Sequence, residues 1–151
     1  MTAGSPRAKK GFTPARARRS VRISHRPRAT ERADSDDTRA DTEGQVIAAD
    51  AHVADSLWGK ARGLMFRRSF PGWDGLVFPF DRVVTRSVHM VFVPFPIDVL
   101  FLVDGRAEHV VTLEGWTGFA RDRADAIVEL PAGAASDVAT GDRIVLEPST
   151  D

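Results

Sequence analysis

The residues from 45 to 147 form a series of short apolar runs separated by turn signals. Each run has five to nine residues and is rich in β-branched or aromatic side chains, which is typical of strands bounded by turns. The runs are Gln45–Val53, Leu76–Phe80, Arg86–Phe92, Ile97–Val103, His109–Leu113, Ala126–Leu130 and Asp142–Glu147. Seven short strands with little helix predict a mainly β fold, a single compact sandwich or barrel-like domain. Residues 148–151 then form a C-terminal tail.

Three local patterns add detail to this fold. Asp55 and Ser56 are good helix N-cap residues, so a short helix is predicted from there to Leu64. Asp104-Gly105 lies between two of the runs and predicts a hairpin turn. The segment 131–135 predicts a single helical turn.

Residues 1–44 differ in composition from the rest of the chain. They contain almost no aromatic or branched aliphatic residues, so their apolar burial cannot offset the entropy of ordering them. We predict a disordered charged arm, basic over residues 1–33 and acidic over 34–43, or upstream sequence included by a misassigned start. The basic part has ten Lys and Arg residues against one acid and is a candidate for association with nucleic acid. Because it has almost no aromatic residues for base stacking, a solvated tail is the favoured interpretation.

The predicted domain is mildly acidic. Residues 45–147 carry 14 acidic against 10 basic residues, and Lys60 is the only lysine among them. Adaptation to a salt-rich cell is one hypothesis for this balance. A GC-rich genome that favours arginine codons is the alternative.

The chain lacks the sequence signatures of most cofactor-dependent enzymes. With no cysteine it has neither disulfides nor thiolate metal ligands, and its four histidines are scattered along the chain. It has no nucleotide-binding glycine loop, no G-x-S-x-G and no H-E-x-x-H motif. We therefore predict no cofactor and no metal.

No segment has the length and hydropathy of a membrane span or a signal peptide. The longest apolar stretch, Met90 to Val103, is interrupted by two prolines and by Asp98. The first 40 residues contain no apolar signal-peptide segment. A cytoplasmic protein without membrane association is expected.

The sharpest site hypothesis concerns the strand Ile97–Val103. Both of its faces are apolar in the middle, which indicates a central strand covered on both sides. Asp98 lies near its start and is expected to be partly buried, where a carboxylate must be paired or hydrogen-bonded. The candidate partners are Arg62 and His89. Together the three residues form either a polar site or a structural network.

Several motifs resemble a known family. They are Val53-Ala-Asp-Ser-x4-Ala-Arg-Gly-Leu-Met-Phe-Arg-Arg, Gly75-Leu-Val-Phe-Pro-Phe, His89-Met-x5-Pro96-Ile-Asp-Val-Leu-Phe-Leu-Val-Asp-Gly-Arg, Val128-Glu-Leu-Pro-Ala-Gly and Gly141-Asp-Arg-Ile. These motifs and their order over residues 46–147 resemble those of the domain of unknown function 192 family, also named uncharacterised protein family 0127. The resemblance implies a compact mostly β domain without an established activity. The family also has exported members, some with signal peptides.

One motif departs from the family pattern. Where many members have Trp-Met-Lys-Asn-Thr, this chain has His89-Met-Val-Phe-Val, so two polar positions are apolar here. By the resemblance, Arg62, Asp98 and Glu129 keep their motif positions. Residues 1–44 lie outside it.

These observations favour a binding domain over an enzyme. The proposed pocket surrounds Arg62, His89 and Asp98, with Glu129 as a further ligand-binding candidate, and the expected partner is a small anionic ligand or a protein. The alternative is a small hydrolase or lyase in which Asp98 orients His89 as general base. Nucleic-acid association through the basic arm is the third and least favoured hypothesis.

Overall fold

The computed structural model describes residues 19–28, 44–54 and 63–149, and seven strands account for most of them. The strands are β1 (Ser20–Arg26), β2 (Gln45–Val53), β3 (Gly75–His89), β4 (Ile97–Val103), β5 (Arg106–Leu113), β6 (Phe119–Pro131) and β7 (Arg143–Pro148). Within these ranges no helix has the length and apolar character needed to cross a membrane.

The strands close into a barrel in the order β1-β2-β3-β6-β4-β5-β7, and β7 pairs with β1. Every pairing is antiparallel except the short parallel one between β2 and β3. The seam between β5 and β7 is narrow and has one ladder pair, Arg106 with Arg143. The predicted mainly β, barrel-like fold is therefore confirmed.

Two apolar cores lie on opposite faces of β4. Leu100 and Leu102 contribute to the barrel interior, which includes side chains from all seven strands. Val99 and Phe101 contribute to an outer core over β3, β4 and β6, covered by the segments that contain Leu64 and Val93. This two-sided burial confirms the prediction that the 97–103 strand is central and covered on both faces.

The prediction of a disordered arm is wrong for Ser20–Arg26, because these residues form β1. Val21 and Ile23 are buried in the barrel interior, and β1 fills the gap between the free edges of β2 and β7. Averaged over 44 residues, the arm has little apolar content, and that average conceals the local alternation of Val21, Ile23 and His25. Residues 1–18 and 29–43 lie outside the described residues.

The second and third predicted strands form one strand, β3, of 15 residues. The polar residues between them stay in extended conformation, and the irregularity is a shift in pairing with β6 between Pro79 and Val84. The strand ends at His89 instead of Phe92. The count of seven strands was thus right although two runs merge and β1 was missed.

Turns behave largely as their residues predict. Asp104 and Gly105 both have positive φ, 49° and 73°, and join β4 to β5 as a tight hairpin. After β6, three hydrogen bonds between residues three apart coil the chain, beginning with Ala134 N–H to the Pro131 carbonyl. The predicted helix at 55–64 falls almost wholly outside the described residues; Gly63 and Leu64 lie in a turn.

Candidate functional site

A cavity of about 370 Å³ opens on the outer core beside β3 and the last part of β6. Its lining is mostly apolar and includes Leu64, Met65, Phe78, Phe80, Val88, Met90, Val93, Ile97 and Ile127. The polar side chains that line it are Ser87, His89 and Glu129. An apolar concavity with a few polar groups is the usual form of a small-molecule site.

Glu129 is the most perturbed group in this cavity. The residue is 9% exposed, and its Oε2 atom has no hydrogen-bond partner in the described part of the chain. Burial away from water disfavours the charged form and raises the pKa of Glu129 from 4.5 to about 7. A polar atom that is buried and unpaired is costly, so the carboxylate is expected to have a partner beyond the described residues.

Glu129 faces the cavity because of its register on β6. It lies opposite Val99 of β4 and Leu76 of β3, and its neighbours Val128 and Leu130 turn into the barrel interior. Alternation along a strand therefore directs the carboxyl to the outer face. Gly63 lies beside it, and a Cβ on that residue would be in van der Waals contact with Glu129 Oε2 at 3.9 Å.

His89 lines the same cavity from the end of β3, where its residue is exposed. Ser87 lies two residues earlier on the same strand. Among the described residues no hydrogen bond joins Ser87, His89 and Glu129 to one another.

Exposed aromatic side chains lie next to the residues that line the cavity. Phe66 and Phe92 stack with ring centroids 4.8 Å apart, and the Phe66 N–H donates to the Phe92 carbonyl. Both have positive φ, as does exposed Trp116, whose N–H donates to the Val93 carbonyl. Positive φ is unfavourable for a bulky side chain, and such strain is concentrated at functional sites.

Asp98 does not belong to this cavity. Its carboxylate faces the other side of the sheet and accepts three hydrogen bonds: from the Thr112 hydroxyl at 2.7 Å and from the Gly133 and Ala135 N–H groups at 2.9 Å. The predicted contact with His89 is therefore wrong, and Asp98 instead holds the 132–138 turn against β4 and β5. The need for hydrogen bonds was predicted correctly, but the donors are backbone groups and a hydroxyl.

The sequence-predicted site residues are thus only partly brought together. His89 and Glu129 share the cavity, Asp98 lies apart from it, and Arg62 lies outside the described residues. Residue reasoning missed the unpaired state of Glu129. Its signal was a carboxylate in the apolar run Ala126–Leu130, the same feature that singled out Asp98. Among the described residues, no group of His, Asp and Glu side chains has the arrangement of a metal site.

Comparisons with known proteins agree with this fold. The chain is 33% identical over 108 residues to a UPF0127 protein of Pyrococcus furiosus, covering 68% of this chain and 91% of that one. A crystal structure of a candidate transcription regulator from Sinorhizobium meliloti has a TM-score of 0.63 and 19% identity, over 85% of this chain and 95% of its own. A protein of unknown function from Novosphingobium aromaticivorans has the same TM-score and 17% identity, over 95% and 99%. The last two likenesses show the fold alone.

A family model matches most of the folded domain. The model of DUF192, described as uncharacterized ACR, matches residues 38–146. The match contains the strands β2 to β6, the cavity residues and Asp98. The chain belongs to the DUF192 (UPF0127) family.

Proposed function

We propose that this domain binds a small ligand that has an apolar body and a protonated amine, in the cavity that contains Glu129. The observation that carries the proposal is the buried Oε2 atom of Glu129, which has no hydrogen-bond partner among the described residues, in an apolar cavity of about 370 Å³. A buried carboxylate must be paired, and an ammonium group supplies both the counter-charge and the hydrogen bond.

The apolar lining supports the rest of the ligand assignment. Phe78, Phe80, Met65 and Met90 offer aromatic and thioether surface to an apolar body. The stacked rings of Phe66 and Phe92 extend apolar surface beside the cavity. A carboxylate-bearing ligand is disfavoured, because it would face Glu129 across a low-dielectric space.

This proposal keeps the binding function predicted from the residues but replaces the anionic ligand with a positively charged one. The anionic ligand was inferred from Arg62, which lies outside the described residues, whereas Glu129 is described and its Oε2 atom has no partner among the described residues. The hydrolase alternative required Asp98 to orient His89, and Asp98 hydrogen-bonds to Thr112, Gly133 and Ala135 instead. A binding domain is therefore the better-supported proposal.

Thermal-shift measurements on the full chain at pH 8 test it, with benzylamine, benzyl alcohol and benzoate as matched probes. We expect benzylamine to raise the melting temperature most and benzoate least. Saturation at a hundred times the dissociation constant stabilises the native state by about 2.7 kcal/mol. The Glu129→Gln variant should lose the response to benzylamine, while Glu114→Gln, at an exposed position, keeps it.

Two results would contradict the proposal. One is stabilisation by benzoate equal to that by benzylamine. The other is an unchanged benzylamine response in Glu129→Gln. Because Glu129→Gln removes a buried ionisable group, we expect it to fold, so a lost response reports on binding and not on unfolding.

A further inference from the structure

Four arginines surround a second hollow, which lies at the seam where the barrel closes and shares no lining residue with the Glu129 cavity. The hollow measures about 700 Å³ and is lined by Arg26, Pro27, Arg28, Arg106, Gly141 and Arg143. It lies where the end of β1 meets the starts of β5 and β7. Its lining contains no carboxylate and no aromatic side chain.

Three of these arginines are cross-strand neighbours. Arg143 of β7 lies opposite Arg26 of β1 on one side and opposite Arg106 of β5 on the other. All three residues are exposed. Like charges placed directly opposite each other in a sheet are destabilising, so this row has a cost for folding that an anion would remove.

The arginines have no acidic partners among the residues that the structure describes. In the described ranges none of the four forms an ion pair with a carboxylate. Arg106 donates to the Gly141 carbonyl at 3.1 Å, and its guanidinium makes no other hydrogen bond to a described residue. Guanidinium groups are suited to bidentate contacts with phosphate oxygens.

A buried pair behind the hollow holds its backbone in place. His25 Nε2 lies 2.7 Å from Asp142 Oδ2, and both side chains are buried. Asp142 Oδ1 accepts the Arg28 N–H at 2.8 Å, and Oδ2 accepts the Ala139 N–H at 2.9 Å. Burial opposes ionisation of Asp142, but these hydrogen bonds and His25 outweigh it and lower the pKa of Asp142. The carboxylate therefore joins the end of β1 to the 139–142 turn without facing the arginines as an ion-pair partner.

Gly141 keeps the centre of the hollow open. Its φ of 93° favours glycine, and a Cβ there would lie 3.5 Å from Arg28 Cδ. The turn at Gly141 thus brings the start of β7 to the end of β1 without a side chain between the guanidinium groups.

We infer that this hollow binds a small polyphosphate anion through Arg26, Arg28, Arg106 and Arg143. Four positive charges around one concavity match a compact anion that carries several negative charges, such as pyrophosphate. The absence of aromatic side chains from the lining disfavours a stacked single-stranded nucleic acid.

The test is calorimetric titration of the full chain with pyrophosphate at constant ionic strength. Arg143→Gln and Arg28→Gln should each weaken binding about tenfold, because each removes one charge-assisted contact. Arg121→Gln, an exposed arginine of β6 outside the hollow, is the matched control and should bind as the wild type does. In chloride buffer Arg143→Gln should also melt higher than the wild type, since it relieves the repulsion within the row.

Other outcomes overturn the inference. Equal losses in Arg143→Gln and Arg121→Gln would indicate general charge attraction. Unchanged affinity in both hollow variants would locate pyrophosphate elsewhere, for instance on the basic residues 1–18. Binding of a single-stranded oligonucleotide without binding of pyrophosphate would assign the hollow to an extended polyanion.

Discussion

Asp98 and Glu129 are both buried carboxylates on the neighbouring strands β4 and β6, yet their surroundings differ in kind. In the pairing of these strands Asp98 lies opposite Leu130 and Glu129 opposite Val99, so the two side chains are one step apart in register and point to opposite faces. Asp98 receives three hydrogen bonds, and Glu129 Oε2 has no partner among the described residues. A carboxylate with all its hydrogen bonds supplied by the fold is expected to be structural, whereas one with an oxygen that lacks a described partner, in a cavity, is the candidate for ligand binding.

The largest effect should come from removing the satisfied carboxylate. Asp98→Ala leaves the Gly133 and Ala135 N–H groups without acceptors, and we expect the free energy of unfolding to fall by about 4 kcal/mol. Asp98→Asn keeps one acceptor oxygen and should cost less. Urea denaturation measures both, with Asp137→Ala at an exposed position of the same turn as control. If Asp98→Ala lowers the free energy of unfolding no more than the control does, Asp98 and Glu129 do not differ as described.

Replacing Glu129 should instead raise the free energy of unfolding. Because the pKa of Glu129 rises from 4.5 to about 7 on folding, the native state binds more protons than the unfolded state between these values. The contribution of Glu129 to stability therefore falls as pH rises through this window and is lowest above pH 7. We expect Glu129→Gln to be more stable than the wild type by about 3 kcal/mol at pH 8, with the difference vanishing towards pH 4.

Denaturation curves at pH 4.5, 6 and 8 measure this dependence. Glu114→Gln, at an exposed position, should show no such trend. A Glu129→Gln variant that is less stable than the wild type at pH 8 would mean that the native fold pairs the carboxylate after all.

The smallest effect concerns a single donor to Asp98. Thr112→Val removes the hydroxyl that donates to Asp98 Oδ1 at 2.7 Å and leaves the two backbone donors in place. Because Thr112 is exposed and water can replace the hydroxyl, we expect a loss of about 1 kcal/mol. The same substitution at Thr85, an exposed residue of β3, is the control. Equal losses at both positions would show that the backbone donors alone hold Asp98.

The contrast between the two carboxylates also explains the limits of prediction from sequence. Asp98 and Glu129 both occur in apolar runs, although burial was predicted only for Asp98. The donors to Asp98 lie on β5 and in the turn after β6, 14 to 37 residues away. Only the packing of those elements decides which carboxylate receives donors and which does not.

The N-terminal strand and the arginine hollow depend on tertiary structure in the same way. A window of 44 residues has too little apolar content to fold alone, but Val21 and Ile23 are buried once β2 and β7 offer two free edges. Arg26, Arg106 and Arg143 are distant in sequence and become neighbours only when the barrel closes.

By itself the sequence determined the local elements of this protein. The bounds of β2 and β4, the Asp104-Gly105 hairpin and the two-sided burial of β4 follow from side-chain alternation and turn chemistry, which act over a few residues. Tertiary structure alone decided the closure of the barrel through β1, the partners of Asp98, the unpaired Oε2 of Glu129 and the row of arginines. The physical reason is that hydrogen-bond satisfaction and charge pairing depend on which distant groups share a location, and the local pattern of a chain does not contain that information.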